Sequence, residues 1–159
     1  MKKTFLSVVS ILFMSVFFNQ TVNAQSNKEE TDLIQSVFGM EKKAIVADFV
    51  GNDAGETFWT LYDEYETKRK ELGKRRVAVM ADYVENYNNL DNAKYDEVIA
   101  NMISLQKETD KLIDQYYKKI KKASGSKVAA QFFQLEGYIL TQIRAAIFER
   151  IPIIGEFGN

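Results

Sequence analysis

The chain contains no histidine and no cysteine in 159 residues, and its single proline is Pro152. Without imidazole or thiolate, zinc and copper sites of the usual donor types are excluded, as are Ser-His-Asp and Cys-His nucleophilic centres. Without cysteine there is no disulfide and no thiol to lipidate, so stability must come from apolar burial. Neither common glycine-rich phosphate loop is present. Carboxylates are plentiful, but they fall mainly on predicted solvent faces and not as a pair in a cleft, which argues against glycosidase-type acid–base chemistry. No catalytic residues, metal or cofactor are expected, and the chain reads as a non-enzyme.

Long apolar runs are scarce too. Phe5 to Phe18, broken only by Ser7, Ser10 and Ser15, follows Lys2 and Lys3 and precedes the small-residue stretch Val22-Asn23-Ala24. This is the pattern of an export signal cleaved after Ala24, and the run is short of the roughly 20 residues a spanning helix needs. The expected product, residues 25–159, is a single helical domain located in the periplasm. Removing Lys2 and Lys3 leaves 19 basic against 22 acidic residues, a formal charge near −3. That balance does not indicate nucleic-acid binding.

The periodicity is helical. Leu33, Ile34, Val37, Phe38, Ile45, Val46 and Phe49 lie on roughly one face of a first helix, and Gly51-Asn52-Asp53 breaks it. Asp53 and Glu56 have the spacing to cap a second helix, from about Asp53 to Asn88, with a seam of Phe58, Tyr62, Tyr65, Arg69, Leu72, Arg76, Val79 and Tyr83. Glu64, Glu66, Lys68, Lys70 and Lys74 fall off that seam, on the expected solvent side. A third helix, capped by Asp91, carries Tyr95, Ile99, Met102, Gln106, Thr109, Ile113, Tyr116 and Ile120 at the same period. The short Asn88–Asp91 connection predicts an antiparallel hairpin of helices two and three. A fourth helix after Ser124-Gly125-Ser126 presents Phe132, Phe133, Leu135, Ile139, Ile143, Ala146 and Ile147, and Ile151-Pro152-Ile153-Ile154 is expected to dock on the body. The fold class is therefore all-α, four helices with one long antiparallel hairpin. A hairpin so thin leaves apolar surface for a second copy, so a homodimer is expected.

Two polar features stand out. Arg69 and Arg76 interrupt the second seam and Glu136 the fourth, which predicts a structural pair of Glu136 with Arg69, Arg76 or Arg144, because a buried carboxylate needs a partner. Basic residues also cluster at Lys68–Arg76 and at Lys118, Lys119, Lys121 and Lys122. A hairpin closing near residue 90 places Lys74 opposite Met102–Gln106 and Lys118–Lys122 opposite Gly55–Leu61, giving two separate patches. These are either solvated helix surface or sites for acidic protein segments or anionic lipid.

The blocks Lys43-Ala44-Ile45-Val46-Ala47-Asp48-Phe49, Phe58-Trp59-Thr60-Leu61-Tyr62-Asp63-Glu64-Tyr65, Phe132-Phe133-Gln134-Leu135-Glu136 and Ile151-Pro152-Ile153-Ile154 carry a resemblance. Together they resemble a family of secreted helical proteins of Gram-negative bacteria that is distantly similar to the Spy/CpxP periplasmic stress proteins. The chain departs from the Spy/CpxP Leu-Thr-x-x-Gln signature, with Val50-Gly51-Asn52-Asp53-Ala54 and Ser124-Gly125-Ser126-Lys127-Val128 in its place. The resemblance implies a dimeric helical cradle that binds unfolded clients without ATP, or senses envelope stress. On that reading Arg69, Arg76, Tyr65, Tyr83 and Tyr95 are the expected client-binding residues. The alternative is a regulatory or structural module that docks on one specific envelope partner.

Overall fold

In a computed structural model the described residues are 41–148, and among them there is helix and no strand. The export signal, the first-helix residues before 41 and the Ile151–Ile154 tail lie outside them. Residues 41–50 form α1, a 3-10 turn covers Gly51–Ala54, and α2 runs Gly55–Asn86. A second 3-10 turn at Tyr87–Asn89 leads to α3, Asn92–Phe148. Three helical spans are thus described, since the expected third and fourth helices are one 57-residue span.

That span is not straight. Gly125 has φ 86 and ψ 169, outside the helical region. Tyr117 and Phe133, sixteen residues apart, have ring centroids only 5.9 Å apart. An uninterrupted helix would separate them by about 24 Å at 1.5 Å per residue. The chain therefore doubles back at Gly125, and α3 consists of two antiparallel limbs, as the Ser-Gly-Ser sequence predicted. Glycine is needed there because a positive φ with extended ψ is closed to residues bearing a Cβ.

The α1–α2 reversal also uses glycines at positive φ, with Gly51 (φ 64) opening the 3-10 turn and Gly55 (φ 69) following it. The N-cap position of α2 is Ala54, which makes no side-chain cap bond, and the side chain of Asp53, expected to cap here, lies outside those described. Asp91 does act as predicted, its Oδ1 accepting from the Lys94 backbone N–H at 2.8 Å. Arg75 meets Glu108 at 2.6 Å and Lys119 meets Glu64 at 3.6 Å. Both pairs place the midpoint of the α2–α3 hairpin near residue 91. The register is accordingly a few residues displaced from the one expected, because the 3-10 turn adds chain beyond Asn86.

The main core gathers Val46 and Val50 of α1, Phe58, Tyr62 and Tyr65 of α2, and residues from both limbs of α3, including Tyr116, Ile120 and Phe132. α1 runs antiparallel to both α2 and the second limb of α3, so the three described spans, the last folded back at Gly125, enclose this core. Burying each large side chain stabilises the fold by about 1.5–3 kcal/mol. A smaller cluster of Met80, Tyr83 and Val98, with Leu90 and Met102 against it, closes the hairpin end. The α2 seam holds along its length. On α3 the seam holds from Thr109 onward, but nearer the turn the buried residues are Val98 and Leu105, while Ile99 and Gln106 face outward. On α1, Phe49 is 45% exposed and Val50 takes the inward position. No helix among the described residues is long and apolar enough to cross a membrane.

Adding a Cβ at Gly125 meets nothing within 4 Å, so any loss on substitution reports backbone strain alone. Gly125→Ala is expected to cost about 1–3 kcal/mol in urea unfolding, and Ser126→Ala next to it to cost far less. Equal stability of Gly125→Ala and the parent would show that the reversal does not depend on the positive φ.

Candidate functional site

The centre of this core is charged. Lys42, on the α1 face that also holds Val46 and Val50, is fully buried. Its Nζ lies 2.6 Å from Glu66 Oε1 of α2 and 2.7 Å from Glu136 Oε1 of the second α3 limb. A hydrogen bond from Nζ to Glu136 Oε2, at 2.8 Å, places the ammonium astride that carboxylate. Oε1 is in ion contact although no well-directed hydrogen bond reaches it. Arg69 closes on Glu66 in bidentate fashion, Nε to Oε1 at 2.8 Å and Nη2 to Oε2 at 3.0 Å. The Tyr65 hydroxyl donates to Glu136 Oε2 at 2.7 Å. Two cations and two carboxylates thus balance in one enclosed cluster.

The surroundings are aromatic. The Lys42 ammonium lies 5.7 Å from the Tyr62 ring centroid and 5.4 Å from that of Tyr65, within cation–π range. Tyr65 in turn makes edge contacts with Tyr116 and Phe132, at 5.6 and 5.0 Å between centroids. Burial pushes the carboxyl of Glu66 up, but Lys42 and Arg69 outweigh it and hold the group below its ordinary value. For Tyr65, burial acts first and Glu136 adds to it, so the phenol is held well above its usual range and stays protonated as a donor. Tyr62 is raised by burial and then by Glu66 and Glu136. Its hydroxyl is buried without a hydrogen-bond partner among the described residues.

This arrangement corrects the expected polar pair. Glu136 is buried as expected, but its cation is Lys42 and not Arg69, Arg76 or Arg144. Arg69 instead serves Glu66, a residue assigned to solvent from the sequence and in fact only 7% exposed. The physical reason is the number of neighbours. α2 packs against α1 as well as α3, so its buried arc is wide enough to take in Glu66 beside Tyr62, Tyr65 and Arg69. Lys42 was missed because a lysine beside a charged run reads as solvated. The available signal is its four-residue step to Val46 and Val50, together with Glu136, a buried carboxylate that needs a cation.

Of the expected client-binding residues, Tyr65, Arg69 and Tyr83 are buried, and Arg76 and Tyr95 are half-buried. Tyr65 and Arg69 come together in the ion cluster, Tyr83 packs with Met80 and Val98 in the smaller core, and Tyr95 stands near the turn. They do not form one surface. The two basic clusters, expected to stand apart, meet at Tyr116, whose ring has the Lys68 ammonium at 5.4 Å and that of Lys119 at 4.5 Å. Large apolar side chains face outward elsewhere: Phe49, Ile99, Ile103, Phe133 and Tyr138, each 41–53% exposed. The chain matches no family model, no curated protein and no solved structure.

The buried cluster sets two expectations. Lys42→Met leaves Glu136 with only a phenol for support and is expected to cost about 3–5 kcal/mol in urea unfolding, part of which Glu136→Gln restores in the double variant. Tyr65→Phe removes a bond to a charged acceptor and is expected to cost about 1.5–3 kcal/mol, whereas Tyr62→Phe removes only an unpaired hydroxyl and is expected to be neutral or stabilising. The pH dependence follows from Glu66, whose folded value is depressed. Its contribution is present above about pH 4.3, the ordinary glutamate value, and is lost as pH falls through the lower folded value. The stability gap between parent and Glu66→Gln should therefore narrow on acidification from pH 6 to 3, and a gap independent of pH would count against this linkage.

Proposed function

We propose that the protein is exported, loses residues 1–24, and acts in the periplasm as an ATP-independent, chaperone-like binding protein for partly unfolded chains. The observation that carries this reading is the set of large apolar side chains held outward on a helical body. Phe133 is 53% and Ile103 49% exposed, while the interior around Lys42 is closed. Presentation on helices lowers the entropy lost on contact, and scattered apolar contacts suit clients of many sequences. The resemblance to the Spy/CpxP stress proteins and the export pattern at Lys2–Ala24 support the same reading, with a homodimer as its assembled form.

The contact residues in this proposal are Phe49, Phe133, Tyr138, Ile99 and Ile103 in place of Tyr65, Arg69 and Tyr83, whose burial commits them to the fold. Docking on one dedicated envelope partner is the other reading, and a single stoichiometric partner in a pull-down would favour it. The test is light scattering of a reduced, aggregating model client with purified protein and no nucleotide. Suppression near one-to-one stoichiometry is expected, weakened severalfold in a Phe133→Gln, Ile103→Gln double variant with unchanged unfolding midpoint. Failure of the parent protein to suppress aggregation at any ionic strength would sink the chaperone reading.

A further inference from the structure

α2 and the second limb of α3 run parallel, and Tyr65 touches both Phe132 and Glu136. Carrying that register along α2 brings Arg76 level with Arg144. Across the hairpin, the Arg75–Glu108 pair sets Arg76 opposite Lys107 on the first limb of α3, and Asp110 follows within one turn of that level. Three helical rods thus converge on two guanidiniums and one carboxylate. Arg76 and Arg144 are both half-buried, and neither forms an ion pair among the described residues. Arg75 beside them is fully engaged on the outer face, gripping Glu108 at 2.6 and 2.9 Å. Burial first, and then the charge of Arg144, weakens the hold of Arg76 on its proton, with Asp110 opposing.

Apolar residues extend from this charged point in both directions. Ile103, Asp110 and Tyr117 follow one another at seven-residue intervals, so they share one stripe of α3. The Tyr117–Phe133 ring contact shows that this stripe faces the second limb. Ile99 is one turn beyond Ile103, and each is more than 40% exposed, as is Phe133 at the other end. The sequence along this face is therefore apolar, cationic, apolar, with about 10 Å between the levels of Ile103, Asp110 and Tyr117.

We propose that Arg76 and Arg144 form a carboxylate-binding site for an acidic–hydrophobic peptide segment of a client, whose apolar side chains lie on Ile103 and Ile99 on one side and Phe133 on the other. Charge complementarity selects this occupant. Two arginines less Asp110 leave one net positive charge, which matches a single carboxylate, and the planar guanidinium fork suits that group. Two half-desolvated like charges repel until an anion joins them. The inference rests on the client-binding reading and identifies the part of a client that is recognised.

The probe is a fluorescein-labelled peptide with glutamates between leucines, followed by anisotropy against the purified protein. Its counterpart with glutamine for glutamate is the control. Arg76→Gln or Arg144→Gln is expected to weaken binding of the acidic peptide about tenfold or more, as loss of a charged hydrogen bond of about 1.5 kcal/mol requires. Arg75→Gln and the glutamine peptide separate a site from general charge: the first should leave affinity unchanged, and the second should bind as the arginine variants bind the acidic peptide. Without peptide, Arg76→Gln and Arg144→Gln are expected to keep or raise the unfolding midpoint, whereas a purely structural role predicts a fall. Equal affinity for the two peptides, or equal losses in Arg75→Gln and Arg76→Gln, overturns the proposal. So does binding that appears only after residues 149–159 are removed, since the chain's own terminus would then be the occupant. If the parent suppresses aggregation and the arginine variants do so equally, the chaperone reading stands and this site falls. If the parent binds the acidic peptide but suppresses nothing, the site stands and the chaperone reading falls.

Discussion

The architecture depends on one ammonium group. Lys42 Nζ sits at 2.6–2.8 Å from two carboxylates contributed by different helices, with no exposure to solvent. Enclosing four charges is costly, and the cluster is tolerable only because each charge has an opposite partner and Tyr65 supplies a further donor. Its value is geometric as much as energetic. An apolar core accepts many small displacements of its helices, whereas a shared ammonium fixes the depth and rotation of α1 against α2 and the second limb of α3.

That constraint explains the division of labour among the aromatic residues. Tyr62 and Tyr65 flank the ammonium, and Tyr116 and Phe132 pack behind Tyr65. These rings form the interior wall and are unavailable to a client. The proposed binding surface lies outside the rods, where Ile99, Ile103 and Phe133 flank the Arg76–Arg144 level. The interior is electrically neutral and closed, and the exterior carries an arginine pair free of any ion pair among the described residues. In the proposed reading, fold and recognition draw on different basic residues: Lys42 and Arg69 serve the first, Arg76 and Arg144 the second.

Much of the fold was legible in the sequence because helical periodicity and helix punctuation are local. The α2 seam from Phe58 to Tyr83, the Asp91 cap and the reversal at Gly125 all follow from residues within a turn or two of one another. Errors arose where a distant neighbour decided the outcome. Phe49 faces outward and Val50 inward because α1 is rotated to deliver Lys42. Val98 and Leu105 replace Ile99 and Gln106 in the seam because, near the turn and among the described residues, the first limb of α3 packs on α2. Glu66 is buried because α1 covers the side of α2 that a two-helix hairpin would leave wet.

The sequence by itself determined the helical class, the places where the chain turns and the need for a cation beside Glu136, since those depend on spacing and on the cost of an unpaired buried charge. Only the tertiary structure decided which cation that would be. Lys42 is ninety-four residues from Glu136 along the chain, and Arg69, Arg76 and Arg144 were equally plausible by charge alone. The choice is made by helix rotation and register, which are properties of the packed rods and not of any one segment.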